Sequence, residues 1–492
     1  MTSGSEESYR VAAERCRRQD SCRLPVVYTQ GSAAHGHNTQ RGGSALSLST
    51  VLILSYHFYP SNEIGARRVT ALARYLADRG VRVVVVSAFD GRPMEAGCEV
   101  SPGVIAIPVP RPARALLDAV VALKRRAVGP AAGEASSGAP VRRPSGHVLG
   151  ELRDLYFRVL HLVDDCKKWS WLASKAAARA GKQYRAAVVL ASGPPHSALL
   201  SGARAARKLG IPYVADLRDP WSDSALRANP TARFEHSVQR ALEGLVMRRA
   251  ATVTSTGATV ATLLAERYPD LRQRIRVIRN GYDGTVAPRS VQTAGRLSIL
   301  FAGELYIGRD PFPFLAALEW LLERPGVDVA RVRATFMGRV SVYAGQSLPA
   351  WLAGRRCESA VRILPPQSRA EVAAAAASAT VLLNLAQQQP LSVPAKTFEH
   401  LSSGREVLLL CEKGCETASL VAGISGVNVV DPSDPDALKA CLLDLYQRHV
   451  LQGEATVPAA ADVGRFSRAN ANADFHEVLA ALAGTAESPR EN

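Results

Sequence analysis

The stretch Val51–Ser87, VLILSYHFYPSNEIGARRVTALARYLADRGVRVVVVS, reads as strand, loop, helix, strand. Val51 to Leu54 and Val81 to Val86 are unbroken apolar runs rich in β-branched residues, the pattern of strands buried on both faces of a parallel sheet. Between them Val69, Leu72, Ala73 and Leu76 recur at i, i+3, i+4 and i+7. That spacing gives one helical stripe to pack on the sheet, with Arg67, Arg68, Arg74 and Asp78 mostly off it and Gly80 ending the helix. The loop Tyr59 to Gly65 joins a strand end to a helix start, where backbone N–H groups and the helix dipole hold anions. With one glycine instead of GxGxxG, that loop taken alone is an ordinary βαβ crossover.

The same alternation continues outward. Strands are expected at Val104–Ile107, Ala186–Ala191, Ile211–Ala215, Ala251–Thr254 and Ile275–Ile278, with helices at about Arg114–Arg126, Gly150–Lys182, from GlyProProHis to Leu209, Phe234–Arg249 and Ala258–Tyr268. Val286 to Gly295 is polar and reads as a linker. A second series follows from Leu297 to His449, with strands near 297–301, 332–336, 361–364, 380–385, 407–411 and 427–430 and helices between them. The expected organisation is an extension over 1–48, a Rossmann-like domain over 49–285 with a flexible insertion at about 127–147, a linker over 286–296, a second Rossmann-like domain over 297–465, and a helix and tail over 466–492. Two doubly wound α/β domains then face one another across a cleft.

At 492 residues the chain is too long for one core. No run of some 20 apolar residues occurs, which argues against a membrane span, and the first fifty residues lack a signal-peptide core. The extension therefore reads as disordered and the chain as cytoplasmic. Eight scattered cysteines, without CxxC spacing, read as reduced and structural. A net charge of +16 raises nucleic acid as a partner, yet there is no zinc-ligand spacing, no RNP-like strand and no basic run followed by heptads, so no nucleic-acid partner is expected. Between Arg111 and Gly150 seven Lys or Arg face only Asp118 and Glu134, a patch suited to anionic headgroups or to plain solvation. The helix that follows carries Tyr156, Phe157, Trp169 and Trp171 among Lys and Arg, a composition that fits a membrane interface or packing within its own domain.

Four segments, taken together and in order, resemble glycosyltransferase family 4: SerTyrHisPheTyrPro with Gly65-Ala-Arg-Arg, AsnGlyTyrAsp from Asn280, PheAlaGlyGluLeuTyrIleGlyArgAspPro from Phe301, and ProAlaLysThrPheGluHisLeuSerSerGly from Pro394. The resemblance covers roughly Thr50 to Tyr446. It implies the GT-B fold, with the acceptor on the N-terminal domain, the nucleotide sugar on the C-terminal one, and transfer with retention of anomeric configuration.

The resemblance also distributes roles. Gly303 and Arg309 stand where the family grips the donor diphosphate, Arg309 in place of a lysine. A guanidinium does that bidentately, and fixed cations stabilise the leaving phosphate without proton transfer. The family's arginine after the glycine is Glu304 here, so Lys396 is the candidate replacement. Glu399 takes the later position of the family's glutamate pair, facing the ribose hydroxyls, while Leu391 stands where the earlier glutamate would fall. Gln387 to Gln389 are then candidates to meet the sugar. Gly65 brings backbone close to the diphosphate. His196 is a candidate beside the reacting sugar or a capping histidine. Asp216, Arg218 and Asp219 form an acceptor-side cluster or a structural Asp–Arg pair. Asp434-Pro-Asp436 reads as a helix cap, so neither a metal nor another cofactor is expected.

These readings give a metal-independent hexosyltransferase taking a UDP- or GDP-sugar to a glycan or lipid-linked acceptor. Its expected place is cell-surface polysaccharide or glycolipid synthesis, in peripheral contact with anionic membrane at the inner face. A nucleotide-sugar epimerase of the same fold and a catalytically degenerate nucleotide-sugar-binding subunit are the alternatives.

Overall fold

The computed structural model describes residues 48–61, 63–89, 97–111, 163–164, 166–223, 233–288 and 295–486. Nearly all of the expected extension, the helix near Arg114–Arg126, the insertion at 127–147, almost all of the basic patch that begins at Arg111, and the first part of the Gly150–Lys182 helix lie outside these residues.

By internal packing the chain divides into two compact units. Among the described residues, one holds 48–222, 233–253 and 479–486, the other 223, 254–288 and 295–478. In the first unit, β1 (Thr50–Ser55) and β2 (Arg82–Phe89) frame α1 (Ile64–Ala77). β1 pairs in parallel with β2 on one side and β5 (Val188–Gly193) on the other, Val51 standing opposite Val83 and Val188. Every residue of β1 is buried, as an unbroken apolar run requires. The α1 stripe Val69, Leu72, Ala73 and Leu76 is buried as well.

β3 (Cys98–Ser101) runs antiparallel to β4 (Val104–Pro110) across a turn at Gly103, whose φ is +76°. CysGluValSer is half exposed and carries no strand period, which is why the sequence did not reveal it. Then come α2 (Lys167–Gln183), α3 (Ser197–Leu209) after β5, β6 (Tyr213–Leu217), α4 (Arg233–Arg249), β7 (Thr252–Ser255), α5 (Ala258–Arg267) and β8 (Ile275–Val277). The strand order is β3-β4-β2-β1-β5-β6-β7-β8, and it reverses direction between β1 and β5.

The second sheet is parallel, in the order β13-β10-β9-β14-β15-β16. Its strands are β9 (Leu297–Glu304), β10 (Val332–Arg339), β13 (Val361–Leu364), β14 (Val381–Leu385), β15 (Glu406–Leu410) and β16 (Val427–Val430), with a small hairpin of β11 (Val342–Tyr343) and β12 (Gln346–Ser347) after β10. Its longer helices are α6 (Phe312–Leu322), α7 (Arg369–Ser378), α8 (Ala395–Leu401), α9 (Glu416–Val421) and α10 (Pro435–Tyr446), and α11 (Arg468–Ala486) passes from this unit into the first. In chain terms this is the 3-2-1-4-5-6 order of a doubly wound sheet, whose ligands gather at the carboxyl ends beside the reversal, here β9 and β14.

The Asp434 cap behaves as read, and a second cap joins it. Ser368 and Glu371 close a capping box on α7, and Asp434 accepts from Ala437 N at 3.0 Å to cap α10. The helix expected to reach His449 gives way after Tyr446 to a π-helical turn, Gln447–Gln452. Through it Arg448 and His449 both reach the buried Glu406 carboxylate, at 2.7 to 3.0 Å.

Thr254–Asp283, ahead of the polar 286–296 segment, packs with the second unit. Its ties are polar. Glu416 reaches the start of α5, Tyr282 N–H donates to Phe466 O, and Arg468 donates to Asp283 and to Gly281 O.

Candidate functional site

In the second unit, the reversal between β9 and β14 gathers the residues singled out around Phe301 and Pro394. Gly303 sits at the end of β9, and a Cβ there would lie 2.8 Å from Lys396 Nζ, so the α8 ammonium rests directly over the strand's backbone. Gly338 on β10 completes the crowding. Its φ is +129°, and a Cβ would overlap Gly303 O at 1.9 Å.

The loop after β9 folds back on the loop after β14. Gly308, at φ +88°, would place a Cβ 2.6 Å from Gln387 O, and Gln387 Nε2 donates to Asp310 O at 2.8 Å. Gln388 turns left-handed at φ 55° and donates its N–H to both Glu412 oxygens, at 2.8 and 3.0 Å. Arg309 donates to Glu304 O at 3.4 Å and lies over the Tyr306 ring, 4.3 Å from its centroid. Burial pulls its guanidinium pKa down.

Four buried polar atoms here have no hydrogen-bond partner: Arg309 Nε, Gln387 Oε1, Gln389 Nε2 and His400 Nδ1. Buried polar groups are as a rule satisfied, so an unsatisfied cluster marks room for a polar ligand. His400 lies one turn after Lys396 on α8. Burial, then the Lys396 and Arg309 charges, push its imidazole down to about 3, which keeps it neutral.

Thus the structure brings Gly303, Lys396 and Arg309 into one neighbourhood. Glu399 is the fifth residue of the seven-residue α8 and stands exposed. Glu304 is exposed and pairs with Arg339 at 3.5 Å, its register neighbour on β10. Sequence reasoning passed over His400, although its i+4 spacing from Lys396 was a signal. It also passed over Glu416, whose partners lie 137 to 158 residues away and leave no local trace. The Glu416 carboxylate accepts from Ala258 N at 2.8 Å, Thr259 N at 2.7 Å, Arg279 Nη1 at 2.8 Å and the Thr259 hydroxyl. Burial alone would raise its pKa, but these hydrogen bonds outweigh it and hold the group below the usual range.

The first unit has its own cluster at the β1/β5 reversal. Asp216, 1% exposed, accepts from Arg68 Nε at 3.2 Å, Arg68 Nη2 at 3.1 Å and Ser192 Oγ at 2.7 Å. Arg68, expected off the packed stripe, is buried for this reason. Arg218 is buried and donates to Gly65 O and Pro194 O. Gly65 makes that possible, since a Cβ there would meet Arg218 Nη1 at 2.9 Å and His57 Cδ2 at 3.3 Å. His57 is drawn below its ordinary value by burial and then by the Arg218 charge. His196 precedes α3 without a side-chain capping bond and stacks on Trp221, centroids 4.9 Å apart at 11°, with Nε2 3.4 Å from Asp219 O. Asp219 is exposed at the strand end. So Asp216, Arg218 and His196 are enclosed, and Asp219 is the open member of the group.

Comparison with known proteins places this architecture. Residues 65–281 match the model of the glycosyl transferase 4-like domain. Sucrose-phosphate synthase from Thermosynechococcus elongatus superposes with a TM-score of 0.56 at 11% identity, over 89% of this chain and 100% of that one. Anabaena HepE in complex with UDP and glucose gives 0.51 at 13%, over 88% and 100%. An α,α-trehalose-phosphate synthase (UDP-forming) from Burkholderia vietnamiensis gives 0.52 at 12%, over 88% and 100%. A search of curated protein sequences finds no match. The fold is therefore GT-B, with two Rossmann-like sheets. The resemblance to glycosyltransferase family 4 is borne out, residues 65–281 being a 4-like domain of that kind. Among the described residues no helix is long and apolar enough to cross a membrane.

Proposed function

We propose that this protein transfers a hexose from a UDP- or GDP-sugar to a glycan or lipid-linked acceptor, with retention of configuration and without a metal. Its work would lie in cell-surface polysaccharide or glycolipid synthesis at the inner face of the membrane. The carrying observation is the Lys396 ammonium over Gly303, beside the unsatisfied Arg309, Gln387, Gln389 and His400 atoms. A diphosphate and a sugar supply the negative charge and the hydroxyls that such a set lacks. The UDP complex of the structurally similar Anabaena protein supports that choice of donor.

In this reading Lys396 and Arg309 meet the charge that grows on the leaving phosphate, and the acceptor's proton passes to that phosphate. Gln387 and Gln389 face the sugar, and Glu399 the ribose. Neutral His400 offers a nitrogen lone pair or an N–H without opposing the two cations. On the acceptor side Asp219 is the exposed carboxylate, while Asp216, Arg218 and Gly65 fix the backbone that presents it.

The test is a panel of UDP- and GDP-sugars given to the purified protein, first by calorimetry and then with candidate acceptors. Binding is expected for one donor and is lost in Lys396→Ala and Arg309→Ala, and proton NMR of the product shows the donor's anomeric configuration. If no donor binds, or both variants bind as the parent does, the reading falls.

A further inference from the structure

Helix α2 carries two tryptophans that the structure treats oppositely. Trp169 is buried edge-on against Tyr56, centroids 4.9 Å apart, whereas Trp171 is 51% exposed. Around Trp171 on the exposed face stand Lys168, Lys175, Arg179 and Lys182. At 100° per residue these five side chains leave the helix within an arc of about 80°, over a length of about 21 Å. Lys175 Nζ lies 3.4 Å from the Trp171 ring centroid. None of the four cations has an acidic partner among the described residues.

The stripe extends onto the neighbouring helix. Ser170 Oγ meets Ser201 Oγ at 2.6 Å and Gly181 packs on Leu209, so α2 and α3 run side by side in the same direction. α3 exposes Arg204, Arg207 and Lys208 beside the α2 C-terminus, and neither helix contains an Asp or Glu. Two helix C-termini offset only about one unit of positive charge between them. The cations far exceed that, so the dipoles do not account for them.

We infer that this α2 face, with the adjoining end of α3, is a docking surface for an anionic lipid bilayer. A convex helix face laid flat suits a planar surface, whereas a nucleic-acid strand needs a groove to follow. An indole among ammonium groups matches the headgroup level, its apolar body toward the acyl chains and its N–H toward the headgroups. The surface deepens the membrane-contact reading proposed above and names the residues that make the contact.

The test is co-sedimentation of the full chain with vesicles of phosphatidylcholine mixed with phosphatidylglycerol, and with pure phosphatidylcholine. Binding is expected only to the mixed vesicles and weakens as salt rises. Each basic residue near such a surface strengthens binding about fivefold, so replacing Lys168, Lys175, Arg179 and Lys182 by Gln should weaken it on the order of several hundred-fold. Trp171→Ala should weaken the binding that persists at high salt. A control replaces the exposed Arg272, Arg276, Arg333 and Arg362 by Gln, which removes equal charge elsewhere.

Equal loss in the control would overturn the proposal in favour of net charge alone. Full retention of binding in the α2 variant would overturn it outright, and tighter binding to a DNA duplex than to vesicles would assign the stripe to nucleic acid. Thermal unfolding confirms that each variant is folded. No nucleotide is present in the assay, so this result and the donor-binding result stand or fall separately.

Discussion

Gly303→Ala is the sharpest probe of the proposed donor site. The new Cβ would stand 2.8 Å from Lys396 Nζ, while a comfortable contact needs about 3.5 Å or more, so the ammonium must retreat by about 0.7 Å. A charge-assisted N–H···O bond to a phosphate is made at about 2.7–2.9 Å and does not survive that displacement. Such a bond contributes about 1.5–3 kcal/mol, which converts to a loss of about 10- to 150-fold in affinity for a nucleoside diphosphate. Folding should hardly notice, because the displaced atom is the end of a flexible side chain. A change within about 0.5 kcal/mol moves the Tm by a degree or two. Calorimetric titration with UDP and GDP, paired with thermal unfolding, reads both quantities. In the double variant Gly303→Ala/Lys396→Ala the losses should not add, since both act through one ammonium. Parental affinity in Gly303→Ala, or additive losses, would refute the placement of the diphosphate at Lys396.

Other variants probe the supports. Gly65→Val drives side-chain carbons into Arg218 and breaks its bonds to two backbone carbonyls, so it should cost about 1–3 kcal/mol in thermal unfolding as well as activity. Unchanged unfolding would show that Arg218 has room to move. Glu416→Ala leaves Arg279 and the first N–H groups of α5 without their anion and should destabilise by about 3–5 kcal/mol, whereas Glu416→Asp should recover part of that in the same melt. Glu406 is buried, and although burial opposes it, hydrogen bonds from His449, Arg448 and Asn428 hold it down to about 2. Its folded value lies below its unfolded one, so its contribution of roughly 3 kcal/mol is present above about pH 4.5 and is lost as pH falls toward 2. Chemical unfolding across that range should show the loss in the parent and a flatter profile in Glu406→Gln. An equally steep profile in the variant would assign the acid sensitivity elsewhere.

Much of the fold was legible in the sequence because its signals are local. Short, β-branched apolar runs such as Val51–Leu54 and Leu297–Phe301 fit strands covered on both faces, and the α1 stripe and the Asp434 cap follow from spacing alone. Gly303, Arg309 and Lys396 were singled out by the family resemblance and not by any local pattern, and the structure puts them in one neighbourhood at a strand-end loop.

Only tertiary structure decided which polar groups are spent on the fold and which stay open. Arg68 and Asp216 are 148 residues apart, one read as lying off the packed stripe and the other as part of an acceptor-side cluster or a pair with Arg218, yet they are buried against each other. Trp169 and Trp171 differ by two positions and face opposite environments. Glu416 looks like any helix-start acid until α5 and Arg279 close on it. A sequence lays down propensity and period along one dimension. The pairing of distant charges depends on which strand lies beside which, and only the folded sheets settle that.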